Sequence, residues 1–210
     1  MSSCNVLFVW VPKVAGTSIY RVLLAHGCPP HLWDIPSHPF ANSGVATFGH
    51  VSISALVEHG TLTNEFLDSA FKFAFVRNPY ERLVSLYFYL NRIRNLITMH
   101  CPTFLDFCLC LGEDTIPQVG FYNYFKLSQC NPMTRWTHDN HNRQIVDYIG
   151  RYENLQKDWS AVCSLSGLSG ALPMSNNTAH DSYRNYYCMT SKRIIEKIYR
   201  DDLERYSYIY

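Results

Sequence analysis

Two apolar segments organise the chain, the continuous run "NVLFVWV" near its start and "FKFAFV" from Phe71 to Val76, which reads as a second buried strand. Apolar runs without alternation predict strands of a parallel sheet covered on both faces. Each is followed by apolar positions at helical spacing. After the first run, Ile19, Val22, Leu23 and His26 form a stripe that Gly27 and Pro29-Pro30 bring to an end. After the second, Asn78 is an N-cap and Pro79 a first helical residue. Tyr80, Leu83, Val84 and Tyr87 then make the inward face of "YERLVSLYFYLNRIR". "ATFGHVSISAL" predicts a short strand or turn leading into a helix, and Thr103 to Tyr124 reads as mostly helical. Ile145 to Ile149 reads as a further short strand before a helix. A single C-terminal helix is predicted over "SKRIIEKIYRDDLERYSY", with Ile194, Ile195, Ile198, Tyr199, Leu203 and Tyr206 inward. Its pairs Glu196–Arg200 and Asp201–Arg205 belong to a solvated face. The proline-rich "PPHLWDIPSHPFANSG" predicts an ordered surface loop. Strands alternating with helices predict an α/β fold, one domain over residues 1–210, with a mostly parallel central sheet flanked by helices. Such sheets bind ligands at the carboxyl ends of their strands.

Composition changes this picture little. The 210 residues are 47% hydrophobic and 17% charged, as in ordinary globular proteins. No apolar run reaches the ~20 residues that cross a bilayer. No signal-peptide pattern is visible either, so the expected location is cytoplasmic, or the Golgi lumen if this is a trimmed catalytic domain. A formal net charge of +1 argues against a dedicated nucleic-acid binder and makes any anion site a local one. The eight cysteines are too few for a disulfide scaffold at this length. Cys101, Cys108 and Cys110 with His100 invite a zinc reading, but no Cys-x-x-Cys pair supports it. In "TFLDFCLCLG" they read as small hydrophobes on a helix, and His138 and His141 as part of a polar loop. No metal is expected.

The candidate chemistry lies where the first strand turns into its helix, in "PKVAGTS". Thr17 and Ser18 open the helix, so their N–H groups and the positive end of the helix dipole face the turn. Gly16 admits a ligand without a Cβ in the way, and Lys13 adds a full charge from across the loop. Together these residues read as a phosphate cradle. Taken alone, they read equally as an ordinary strand-to-helix turn with an N-cap. The order differs from a Walker A loop, which sets its lysine after the glycines and directly before Ser/Thr. Here Lys13 precedes Gly16. A second element is "FVRNPYERLVSLY", with Arg77 at the end of the buried strand and Asn78, Arg82 and Ser85 on the polar side of the next helix. Arg77 and Ser85 can grip a second phosphate; the bland alternative is a helix cap plus salt bridges involving Glu81 and Arg82.

These two motifs carry a resemblance. "PKVAGTS" resembles the 5′-phosphosulfate loop of sulfotransferases and "FVRNPYERLVSLY" their 3′-phosphate motif. The spelling is most similar to the Golgi-type carbohydrate enzymes acting on chondroitin, dermatan and heparan chains. "GRYENLQKDW" and "LPMSNNTAHDSYRNYY" resemble later family segments more loosely. The resemblance implies the P-loop-like sulfotransferase fold and the donor 3′-phosphoadenosine 5′-phosphosulfate (PAPS), with PAP as product. It assigns Lys13, Ala15, Gly16, Thr17 and Ser18 to the 5′-phosphosulfate, and Arg77 and Ser85 to the 3′-phosphate. Lys13 is also expected to be catalytic, because charge builds on the bridging oxygen as the sulfuryl group leaves. For the base, His50 in "TFGHVS" resembles the Gly-His of uronyl 2-O-sulfotransferases. The alternative is a strand-end histidine bonded to a nearby carbonyl. His26, Glu58 and His59 are weaker candidates, and Tyr152 and Glu153 read as structural.

The expected acceptor is a hydroxyl-bearing molecule, a glycan first. Arg92, Arg94, Arg135, Arg143 and Arg151 are the cations available for a local patch. Two rival functions stand beside this one, a P-loop-like nucleotide kinase and a catalytically inactive PAP(S)-binding protein.

Overall fold

The structure is a computed structural model, and it describes residues 5–29, 40–94, 101–113, 129–173 and 181–210. Residues 30–39 of the predicted proline-rich loop and the whole segment from 114 to Tyr124 lie outside these residues. So do the side chains of Arg92 and Arg94. The chain groups into two compact units, Met1–Val76 with Arg135–Asn176, and Arg77–Thr134 with Asn177–Tyr210.

The first unit holds a four-stranded sheet, β1 Val6–Val9, β2 Val45–Thr47, β3 Phe71–Val76 and β4 Tyr148–Arg151. The strands lie in the order β2-β1-β3-β4 and every pair is parallel. All four residues of β1 are buried, as its unbroken apolar run requires. From β1 the chain moves to one side for β2, then crosses back to place β3 on the other. The carboxyl ends of β1 and β3 therefore flank the topological switch point, where open parallel sheets take their ligands.

Helix α1, Gly16–Ala25, buries Ile19, Val22 and Leu23. It ends as expected: Gly27 takes φ 82 and the Cys28 N–H closes back on the Leu23 carbonyl. Helices α2, Ile53–Glu58, and α3, Asn64–Ser69, open on the side chains of Ser52 and Thr63, which accept from Ala55 N–H and Phe66 N–H. The fourth strand begins later than the pattern predicts. Ile145 donates its N–H to the Thr137 carbonyl, outside the sheet, and pairing with β3 begins around Asp147, whose N–H reaches the Lys72 carbonyl. Apolar character alone did not mark where the sheet hydrogen bonds start.

The second unit is helical. Its helices are α4 Pro79–Arg94, α5 Phe104–Gly112, α8 Met189–Ile198 and α9 Arg200–Arg205. Among the described residues there are also the single turn α6, Thr134–Thr137, and α7, Leu155–Ser166, after β4 in the first unit. Tyr80, Leu83, Val84 and Tyr87 are buried as expected, alongside Phe104, Phe107, Cys108 and Ile195. The predicted single C-terminal helix is two, broken at Tyr199. That residue is fully buried and its hydroxyl donates to the Cys130 carbonyl. The solvated face is corrected in part. Glu196 faces Lys192 at 3.9 Å, and Asp202 is wholly buried, accepting from Met133 N–H (2.7 Å) and Thr134 N–H (2.9 Å). Burial pushes the Asp202 carboxyl up from its ordinary value, against the pull of Arg82 and of the two N–H donors.

The cysteines sort by environment. Cys101 and Cys108 pack in the apolar cluster, with Cys101 Sγ 3.3 Å from Cys110 Sγ. Burial pushes the Cys28 thiol up to about 11 and the Cys101 thiol up to about 12. Cys188 is exposed ahead of α8, and hydrogen bonds from Ser191 lower its thiol. Brief alkylation at neutral pH is therefore expected to label Cys188 first among the described cysteines and to spare Cys28, Cys101 and Cys108. Peptide mass spectrometry against time reads the order, and equal labelling rates would contradict it.

Candidate active site

The turn from β1 into α1 has an unusual backbone. Lys13 and Ala15 both take φ 67, the left-handed region that non-glycine residues seldom enter, and Val14 between them does not. Alternation of this kind turns successive N–H groups toward one side and makes an anion-binding concavity. Backbone cost of order 1–3 kcal/mol per such residue persists where the surroundings enforce it, and those places cluster at functional sites. The helix start differs from those of α2, α3 and α5. Each of those is capped by a Ser or Thr side chain, whereas Ala15 offers α1 no side-chain cap, and no acidic residue lies in its first turn. Gly16, Thr17 and Ser18 thus present a helix N-terminus without a built-in negative group.

Gly16 also has a structural reason. A Cβ at this position would fall inside the indole ring of Trp10. The glycine is required by the neighbouring tryptophan, which is 6% exposed and also packs against Phe8 and Tyr20. Gly16→Ala is accordingly expected to displace Trp10 and to destabilise the chain by about 1–3 kcal/mol, the usual range for overpacking. Urea unfolding followed by fluorescence measures this. Wild-type stability would show that the indole moves aside freely.

Trp10 also leads to His50. The His50 Nδ1 lies 3.0 Å from the Trp10 carbonyl oxygen, and the two rings meet edge to face at 5.6 Å. His50 follows Gly49, at φ 59, directly after the β2 segment, and its own carbonyl accepts from the Trp136 indole N–H at 2.9 Å. The histidine bonded to a nearby carbonyl, set out above as the alternative, is thus present. It is compatible with a base, because a proton on Nδ1 places the lone pair of the neutral ring on Nε2. Lys13, Gly16 and His50 all belong to the first unit, and Trp10 touches the latter two. Neither Trp10 nor Trp136 stood out in the sequence; only the three-dimensional contacts single them out.

The weaker base candidates sit elsewhere. His26, after the end of α1, places Nε2 2.8 Å from the Ser169 carbonyl oxygen. Glu58 and His59 are exposed at the end of α2, with His59 Nδ1 3.3 Å from Thr61 Oγ1. Tyr152 and Glu153 form a 3₁₀ turn after β4.

In the second unit Arg77 is the residue that follows β3. It is 6% exposed, its guanidinium pairs with Glu81 at 3.0 Å, and its N–H approaches the Met133 sulfur at 3.4 Å. Asn78 Oδ1 accepts from Tyr80 N–H at 3.0 Å, the predicted cap of α4. The expected polar side of this helix is buried: Arg82 is 0% and Ser85 4% exposed. Arg82 donates to the carbonyls of Gln129 (3.2 Å) and Asn131 (2.6 Å), so it clamps that loop and is not a surface ion pair. A sequence pattern records polarity and spacing, not the distant carbonyls that satisfy a buried guanidinium. Of the remaining cations, Arg135 is exposed and Arg143 pairs with Asp139 at 2.8 Å.

Comparison with known proteins bears on the family and the fold. The model of the Sulfotransferase family matches residues 2–209. Mouse carbohydrate sulfotransferase 11 is 27% identical over 195 residues, covering 80% of this chain and 52% of that protein. The chain thus spans about half the length of that relative. An uncharacterised protein of Archaeoglobus fulgidus is 30% identical over 121 residues, 57% of this chain and 88% of its own. Among solved structures, mouse sulfotransferase SULT7A1 complexed with PAP superposes with a TM-score of 0.59 at 13% identity, over 96% of this chain and 84% of that one. A sulfotransferase from Alicyclobacillus acidocaldarius gives a TM-score of 0.50 at 16% identity, over 98% and 94%. The sheet, its order and its flanking helices are those of the P-loop-like sulfotransferase fold. The chain belongs to the sulfotransferase family, near its carbohydrate sulfotransferases.

Proposed function

We propose that the chain transfers a sulfuryl group from PAPS to a hydroxyl of a carbohydrate, and that its two compact units act as one catalytic domain. The observation that carries this reading is the uncapped, left-handed turn at the start of α1, with Lys13 in it. The family match supports it, since it runs through both units. In this reading Ala15, Gly16, Thr17 and Ser18 take the 5′-phosphosulfate through the helix N-terminus, with Lys13 as the opposing charge. Arg77 and Ser85 take the 3′-phosphate, the arginine exchanging Glu81 for the ligand.

The acceptor oxygen bonds to sulfur as the bond from sulfur to the bridging phosphate oxygen breaks. The acceptor proton passes to His50 Nε2, and the released electron pair stays on the phosphate oxygen of PAP. Lys13 and the helix N-terminus act most strongly on that oxygen, because its charge is greatest in the transition state. No step in this scheme calls for a metal.

A carbohydrate acceptor is proposed from the likeness to carbohydrate sulfotransferase 11. The test is transfer of radiolabelled sulfate from PAPS to a panel of desulfated chondroitin, desulfated heparan, a small alcohol and a tyrosine peptide. Label on a polysaccharide is expected. Label on the peptide or small alcohol alone would remove the carbohydrate and keep the transfer.

A further inference from the structure

We infer that Trp136 is a positioning residue for His50: it anchors the histidine main chain so that the imidazole stays in the Nδ1–H tautomer. In that tautomer the lone pair is on Nε2, the atom that takes the acceptor proton in the reading of His50 as the base, on which the inference rests.

A carbonyl oxygen only accepts, so the 3.0 Å contact of His50 Nδ1 with the Trp10 carbonyl requires the proton on Nδ1. In the neutral ring Nε2 is then the acceptor, as a general base must be. That tautomer lasts only while the ring stays within reach of the carbonyl. Two further contacts keep it there. The Trp10 indole lies edge to face with the imidazole at 5.6 Å and 77°. The Trp136 indole N–H, at 2.9 Å, holds the His50 carbonyl, so the residue is tied at its main chain as well as at its ring. Trp136 has no exposed surface, and without this bond its N–H would have no water to turn to. The arrangement links base and anion turn. Trp10 supplies the carbonyl for Nδ1, fills the space over Gly16, and lies three residues before Lys13 in the chain.

A buried tryptophan can be mere packing, and Trp159 provides the comparison. It is 2% exposed in the same unit and donates its indole N–H to the Gly170 carbonyl at 2.7 Å. Trp159→Phe removes a bond of the same kind without touching His50. The experiment uses the full chain labelled with ¹⁵N-histidine, as wild type, Trp136→Phe and Trp159→Phe. Long-range proton–nitrogen spectra report the tautomer of His50, assigned by its loss in His50→Gln. Wild type and Trp159→Phe are expected to show the Nδ1–H form alone. Trp136→Phe is expected to show a mixture, with turnover lowered about tenfold, roughly what one net hydrogen bond contributes. PAP affinity should stay within about twofold, since the base does not bind the nucleotide.

An Nε2–H tautomer in wild type overturns the inference without recourse to any variant. A pure Nδ1–H signal in Trp136→Phe overturns it too, as does the same mixture in Trp159→Phe. A mixture in Trp136→Phe with full turnover in His50→Gln separates the two claims. The hold of Trp136 then stands, and the base is another group.

Discussion

Lys13→Ala is expected to leave a folded chain whose sulfuryl transfer has fallen by about 10²–10³, the usual effect of removing one preorganised donor from a developing anion. The residue is half-buried in the turn and lies outside the apolar core, so circular dichroism should match wild type. The loss should fall mainly on kcat, because the ammonium acts on charge that grows as the sulfur–oxygen bond breaks. An equal rise in KM with kcat unchanged would make Lys13 a binding group alone. Wild-type turnover would remove it from the site and return the turn to an ordinary strand-to-helix connection.

The second large effect is expected at His50. His50→Ala removes the proton acceptor and should lower transfer by about 10²–10⁴, the range for general acid–base groups. PAP affinity should remain close to wild type, because the groups assigned to the phosphates, Lys13 and the start of α1, are left in place. Calorimetric titration with PAP beside steady-state assays separates the two quantities. If affinity and turnover fall together, His50 is holding the Trp10 carbonyl and the turn in shape, and its ring contact with Trp10 accounts for both losses.

The strands were legible because a parallel sheet covered on both faces needs apolar runs: β1 is unbroken, and β3 is apolar but for Lys72 near its start. The caps and stops around α1 and α4 were legible because Gly27, Asn78 and Pro79 act locally. What escaped depends on distant partners. At Tyr199, where the helix breaks, a buried hydroxyl reaches the Cys130 carbonyl, and the buried Asp202 accepts from two N–H groups nearly seventy positions away (|i−j| of 69 and 68). Arg82 kept the spacing of a surface residue while its guanidinium was committed to Gln129 and Asn131.

The turn itself was read for its residue types, and its left-handed backbone at Lys13 and Ala15 adds what the letters lack. At Gly16 the space a side chain would take is filled by Trp10, a partner that the letters alone do not reveal. Trp10 and Trp136 went unremarked because aromatic residues in apolar runs read as core, which they also are. Among the described residues no helix is long and apolar enough to cross a membrane.

In the proposed function the chain reads a nucleotide with phosphates at both the 3′ and 5′ positions. A thermal-shift titration of the whole chain with PAP, beside ADP and ATP–Mg²⁺, tests this. At a hundred times its dissociation constant, a ligand adds about 2.7 kcal/mol of stability. A clear rise in Tm is expected with PAP, absent with the other two and lost in Arg77→Ala. A rise with ATP–Mg²⁺ and none with PAP would contradict it, and the turn at Lys13 would then belong to a kinase-like site.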